Sequence, residues 1–168
     1  MSIINIQEKE KQLKEINQKL NSLLETERNW LANMANAAAL LYNNLEDLNW
    51  AGFYLFKNSE LVLGPFQGLT ACIRIKKGQG VCGQALQDEK TYLVKDVHQF
   101  EGHIACDPVS NSEIVIPLKK DSEVLGVLDI DSPEKARFDQ TDQKYLEKFV
   151  NILLERIDVQ DLKNYLNN

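Results

Sequence analysis

Cys106 stands beside Asp107 in the stretch HIACDPVSNSEIVIPL, and the apolar run that closes the stretch opens on a carboxylate, Glu113. A thiol and carboxylic acids sharing one small site suit a reaction in which a thiolate attacks and a departing atom takes up protons. Two further thiols are present, Cys72 in TACIRI and Cys82 in GQGVCG. A sulfenic acid formed on one cysteine condenses with a second, and a third relays the disulfide by exchange. The plainer account is that cysteine is commonly buried and inert. The contexts differ: Cys82 follows Gly78 and Gly80 at the start of an expected helix, where free amides can stabilise a thiolate, whereas Cys106 has no apolar run around it.

The acids group by strand arithmetic. EIVIPL, residues 113–118, and VLGVLDID, residues 124–131, read as two strands of a hairpin whose turn is residues 119–123. In that register Glu113 faces Asp129, and Asp131 shares their face because side chains alternate with a period of two. The rest of this face is Val115, Pro117, Leu125 and Val127, and the other carries Ile114, Ile116, Leu118, Val124, Leu128 and Ile130, so both faces read as covered. Three carboxylates there either point into water at a strand end or line a pocket that receives an ammonium group or a proton donor. A slip of one residue would separate Glu113 from the other two.

Metal ligation fits poorly. A set of Cys106, His103, His98 and Cys82 lacks a CxxC pair and the helical His spacing of zinc sites, so no metal is expected. Gly78, Gly80 and Gly83 match GxGxxG, but no βαβ unit surrounds them.

The elements that must position these groups follow from periodicity. Ile6, Leu13, Ile16, Leu20 and Leu23 predict a helix over about residues 7–25, and Trp30, Met34, Ala37, Ala38 and Leu41 a second, ending near Asn43 and Asn44. Core packing is the ordinary reading of both stripes; a dimer contact is the other reading of the first. WAGFYLF, residues 50–56, and Leu61 to Leu63 form a hairpin, GPFQG at 64–68 a turn, and Leu69 to Ile75 a strand. A short helix spans Val81 to Gln87 and a brief strand Thr91 to Val94. Residues 95–111 read as one long loop, of a length that is often functional. The last helix carries Leu146, Phe149, Leu153 and Ile157 and continues towards Leu166. Short links between strands favour antiparallel pairing, so the expected fold is α+β, a mostly antiparallel sheet of about six strands with helices packed on it.

With 168 residues, 43% of them hydrophobic and 26% charged, the chain suits a single globular core. A net charge of −6 without a basic block argues against a nucleic-acid partner. No apolar stretch is long enough for a membrane span, and the start has no signal-peptide core, so a cytoplasmic setting is expected. An odd number of cysteines agrees with a reducing compartment.

Six segments together, WAGFYL at 50–55, GQGVCG at 78–83, DVH at 96–98, GHIACD at 102–107, SEIVIP at 112–117 and LDIDSP at 128–133, resemble the free methionine-(R)-sulfoxide reductase family over about residues 28–155. These are small GAF-domain enzymes that reduce the free amino acid sulfoxide. The expected division is therefore an N-terminal helix over 1–27, read from its periodicity and a candidate dimer contact, and a GAF-like catalytic domain over 28–168. The resemblance implies Cys106 as the nucleophile, with the alternative assignment falling on Cys82, and Cys72 and Cys82 as recycling thiols. Glu113, Asp129 and Asp131 resemble the acids that hold the substrate ammonium and approach the sulfoxide oxygen; Trp50 and Tyr54 resemble the aromatic wall around the thioether. It further implies a homodimer, no cofactor, and thioredoxin as the external reductant. A non-catalytic GAF module that senses a small ligand, and a dimer scaffold built on the first and last helices, are the alternatives from other classes.

Overall fold

The computed structural model describes residues 3–102 and 108–168. Two helices, α1 (Ile3–Leu23) and α2 (Trp30–Asn44), precede β1 (Trp50–Lys57), β2 (Glu60–Gly68) and β3 (Arg74–Lys76). Then come α3 (Gly80–Asp88), β4 (Tyr92–Val94), a 3-10 turn (Val97–Gln99), β5 (Ser112–Lys120), β6 (Glu123–Ser132), α4 (Gln140–Arg156) and α5 (Val159–Asn167). The six strands form one sheet in the order β3-β2-β1-β6-β5-β4, and every pairing is antiparallel. The expected α+β class and strand number are those of the structure.

One face of the sheet carries Ala51, Phe53, Ile114, Ile116, Leu128 and Ile130 into a large core with α1, α2 and α4. Leu13, Ile16 and Leu20 of α1 are buried in this core, and Ile6 and Leu23, at the ends of the same stripe, are exposed. Polar contacts fix α1 along α4. The Lys9 ammonium pairs with Asp139 at 2.9 Å and with Asp142, and Asn17 donates to the Tyr145 carbonyl at 3.0 Å. Asp139 and Asp142 are themselves the capping box that starts α4. The C-terminal stripe does not continue as one helix: Ile157 is extended at φ −83° and ψ 158°, and Asp158 caps a separate α5.

Other expectations change in detail. The segment GPFQG is not a turn but the second half of β2. Its Gly and Pro are tolerated because β3 pairs only with Glu60, Leu61 and Val62, which leaves an open edge beside Pro65. A register irregularity opposite, between Gly52 and Tyr54, absorbs the extra residue. Correspondingly, only Arg74–Lys76 of the expected strand over Leu69 to Ile75 pairs, and residues 69–73 form a connection across the sheet.

The β5–β6 hairpin is tighter than the five-residue turn. Lys120 pairs with Glu123 around Asp121 and Ser122, whose φ values of 52° and 67° give a two-residue turn matched to the strand twist. An irregularity between Pro117 and Lys119 then sets the register beyond it, so that Glu113 lies opposite Asp131 and Val115 opposite Asp129. The pairing differs from expectation by two positions. A shift of two preserves the face, and the three acids remain on one side.

The expected loop over 95–111 has its own order near both ends. Asp96 caps the 3-10 turn by accepting from the His98 amide at 3.1 Å, the Val97 amide donates to the Asn111 carbonyl at 3.0 Å, and His98 Nε2 lies 2.9 Å from Asn111 Oδ1.

Candidate active site

The second face of the sheet holds the chemistry. Across β1, β6 and β5, one row of paired positions reads Trp50, Asp131, Glu113, and the next reads Gly52, Asp129, Val115. Paired positions share a face, so two carboxylates and an indole stand in one row with a third carboxylate beside them. α3 closes over this face and brings Cys82 onto the acids. Its thiol donates to Glu113 Oε1 at 3.8 Å, and ligand atoms from Cys82, Glu113 and Asp129 all lie within 4.8 Å of one another. All three are buried, Cys82 at 3% exposure and the two acids at 6% each. Asp131 is half-buried at the rim.

No Lys, Arg or His is ion-paired with Glu113 or Asp129 among the described residues, and no cation contributes to the proton affinity of either. Burial raises the Glu113 carboxyl well above the ordinary range, with the charges of Asp129 and Asp131 adding to it. Burial likewise raises Asp129, to about 6, against the opposing pull of hydrogen bonds from Cys82, Glu113 and the Ile130 amide. The Asp129 Oδ1 atom is buried without a hydrogen-bond partner. Cys82 is pushed up by burial first and then by Asp129, Glu113 and Asp131. The start of α3 therefore does not make this thiol a thiolate: desolvation and three acids outweigh the helix amides.

The aromatic side of this cluster is a stack. Trp50 lies 5.8 Å from Tyr54 and 5.2 Å from Phe66, with interplanar angles of 24° and 14°. Gly52 makes the stack fit: a Cβ there would sit 2.3 Å from the Phe66 Cβ and 2.7 Å from Trp50 Cη2. Both expected wall residues also hold the 69–73 connection from beneath. Trp50 Nε1 donates to the Leu69 carbonyl at 3.2 Å, and the Tyr54 hydroxyl donates to the Cys72 carbonyl at 3.0 Å. Burial and then the acid cluster raise the Tyr54 phenol, so it remains a donor.

Of the predicted site residues, Trp50, Tyr54, Cys82, Glu113, Asp129 and Asp131 therefore share one face, and Cys72 lies on the connection above them. Cys72 is half-buried and disulfide-bonded, whereas Cys82 is a free thiol. Cys106 and His103 lie outside the described residues. His98 is exposed and turned to Asn111, and it does not join the Cys82 cluster in the way the four-ligand metal set would require. Gly78, Gly80 and Gly83 lead from β3 into α3 of an antiparallel sheet, which is not a dinucleotide cradle. Phe66 was not among the predicted wall residues, because a Gly-Pro pair beside it reads as a turn. The usable signal is Gly52: Phe66 pairs directly with it, and Trp50 stands two residues along the same face of the strand.

A family model described as "GAF domain" matches residues 32–155. Free methionine-R-sulfoxide reductase of Escherichia coli is 48% identical over 151 residues, covering 90% of this chain and 92% of that protein. Protein YtsP of Bacillus subtilis is 52% identical over 148 residues, covering 87% and 91%. Among solved structures, the Staphylococcus aureus fRMsr in complex with substrate superposes with a TM-score of 0.82 at 48% identity, covering 86% of this chain and 94% of that one.

Proposed function

The chain belongs to the free methionine-R-sulfoxide reductase family of GAF-domain proteins, and on that premise we propose that it reduces free L-methionine (R)-sulfoxide to L-methionine through its own cysteines. The observation that carries the reading is the buried carboxylate cluster under the Trp50 stack, which contains no cation of its own among the described residues. Buried acids of this kind are costly unless a positive group arrives. The ammonium of a free amino acid is such a group, and a peptide-bound residue lacks it.

In this reading Asp129 and Asp131 hold the ammonium, while Trp50 and Tyr54 flank the thioether end. The Cys106 thiolate attacks the sulfoxide sulfur. The sulfoxide oxygen passes to that cysteine as a sulfenic acid, and methionine departs as the reduced thioether. Glu113, kept protonated by its surroundings, is suited to supply a proton to the oxygen as charge develops on it. The arriving ammonium favours thiolate over thiol at a neighbouring cysteine, which ties activation of Cys106 to substrate binding.

Recycling needs a second thiol. Cys72 attacks the sulfenic acid, a disulfide forms and water leaves; a dithiol reductant then opens the disulfide by exchange. That Cys72 is disulfide-bonded on a connection at the protein surface supports this role. Cys82, buried and protonated, donates to Glu113 in this geometry and joins recycling only through an exchange step that exposes it. Thioredoxin is the proposed reductant and a homodimer the proposed assembly, both carried by the family resemblance. The described helices include none long and apolar enough to cross a membrane.

The test couples NADPH oxidation through thioredoxin reductase and thioredoxin to turnover of free (R)-sulfoxide, free (S)-sulfoxide and a peptide-bound sulfoxide. Turnover confined to the free (R) form is expected; inactivity towards it refutes the reading. Methionine released under limiting reductant then assigns the thiols. Cys106→Ser should release none, whereas Cys72→Ser should release about one per chain and then stall. A full burst from Cys106→Ser with none from Cys82→Ser would move the nucleophile to Cys82.

A further inference from the structure

Three ligand-type atoms from three separate elements converge in the pocket: the Cys82 thiol from α3, the Glu113 carboxylate from β5 and the Asp129 carboxylate from β6, all within 4.8 Å of one another. Zinc held at about 2.3 Å from sulfur and about 2.0 Å from oxygen in a tetrahedral set brings sulfur and oxygen to roughly 3.5 Å of each other. The Cys82 to Glu113 separation is already 3.8 Å, so a cation between them requires little contraction. Independently, Asp129 Oδ1 is buried without a hydrogen-bond partner, an acceptor on one of the three ligating side chains that a positive ligand would satisfy. We infer that the reduced, substrate-free protein binds one thiophilic divalent cation of the zinc class through Cys82, Glu113 and Asp129, and that this cation excludes the amino acid.

The donor set selects the class of ion. Magnesium and calcium prefer six or more oxygens, whereas zinc and cadmium accept a thiolate with carboxylates and complete the shell with water. Binding replaces the thiol proton of Cys82 by a metal–sulfur bond and the carboxyl proton of Glu113 by a metal–oxygen bond, both protons leave to solvent, and no oxidation is involved. The ion is an inhibitor by this account rather than a resident cofactor. Its competition with substrate rests on the proposed reading of the pocket, because Asp129 is then asked to hold the ammonium and the metal in turn.

The decisive material is the full chain with Cys72→Ser and Cys106→Ser, which leaves Cys82 as its sole thiol. Cadmium titration under anaerobic, chelator-free conditions should give the ultraviolet thiolate-to-cadmium band with one ion per chain. Glu113→Gln and Asp129→Asn, added separately to that background, should each weaken binding at least about tenfold, the order expected for losing a charged partner. Circular dichroism of each variant checks folding, and the two acids give independent arms. Failure to develop the band, or affinity unchanged by both acid substitutions, overturns the site. This titration reads no turnover, so a protein that binds cadmium as expected yet leaves sulfoxide untouched sinks the reductase reading alone. Free methionine should raise the apparent cadmium dissociation constant linearly with its concentration, by a factor of one plus the ratio of that concentration to its own dissociation constant; no effect would overturn the competition.

Discussion

On the face that meets α1, α2 and α4, strands β5 and β6 present Ile114, Ile116, Leu128 and Ile130, buried among apolar neighbours. On the opposite face the same two strands present Glu113 and Asp129, almost as deeply buried, among a thiol and aromatic rings. The backbone is common to both, so the difference lies in what desolvation does to each side chain. For the aliphatic face, burial is the source of stability, at about 25 cal/mol per Å² of apolar surface removed from water. For the acid face, burial opposes the charged forms, is partly offset at Asp129 by hydrogen bonds, and is otherwise relieved by protonation or an incoming cation. One layer of strands thus joins a face that holds the fold to a face held ready for a ligand.

The comparison breaks most sharply at Glu113. Glu113→Gln keeps the size of the side chain but cannot give up a proton, and should lower the chemical step by about 10²- to 10⁴-fold with a smaller change in substrate binding. Single-turnover methionine release measures it, and a wild-type rate would return the residue to a passive role. On the other face Phe149 is fully buried in the helical core, and Phe149→Ala should cost about 3–5 kcal/mol of unfolding free energy. Turnover per folded molecule should hold. Urea titration beside activity at low denaturant separates the two effects, and loss of turnover in a folded variant would show that the faces are not independent.

Asp129 should reverse that sign. Its carboxyl sits at about 6 in the folded chain, against an ordinary value near 4 in the unfolded one. The folded state therefore binds this proton more tightly. Its favourable contribution is complete below about pH 4 and declines as pH rises through about 6, a loss on the order of 3 kcal/mol. Asp129→Asn removes the titration, so the variant should be more stable than the parent at pH 8 and close to it at pH 4, while binding the amino acid more weakly. Thermal melts of the reduced, ligand-free protein at the two pH values test the sign. A variant less stable than the parent at pH 8 would mean that the acid is a structural partner.

The acid face was legible because alternation along a strand survives errors that change the register by two. Glu113, Asp129 and Asp131 therefore fall together whether the turn is five residues or the two of Asp121 and Ser122 with an irregularity before it. The exact partner of Glu113 was misjudged because the irregularity falls at Pro117, a residue type that within a strand marks a bulge or an open edge, and simple turn arithmetic leaves that signal out. Cys82 over the acids was equally hidden. Its place depends on how α3 folds back across the sheet, a relation between segments 31 residues apart that strand periodicity does not carry. Gly64 and Pro65 misled for a physical reason: they are turn residues unless the neighbouring strand stops short, and β3 does.

The smallest expected effect concerns the residue hidden by that misreading. Phe66 lies against Trp50 at 5.2 Å and 14°, and it pairs with Gly52, whose partner on the other side is Asp129. Its stacking contact bears on the substrate by fixing the plane of Trp50. An aromatic pair contributes about 0.5–1.5 kcal/mol beyond its area burial, and Phe66→Leu replaces the ring with a smaller apolar side chain. The Trp50 ring keeps its hydrogen bond to the Leu69 carbonyl, so the indole should loosen without leaving. The expected outcome is a two- to tenfold rise in KM, from about 0.5–1.5 kcal/mol, with kcat unchanged, because the groups that move protons and electrons are untouched. Steady-state kinetics under saturating reductant, with tryptophan fluorescence anisotropy of the ligand-free protein, reads both parts. A fall in kcat at constant KM would place Phe66 in the chemical step, and an unchanged KM would show that Trp50 is held by the Leu69 contact alone.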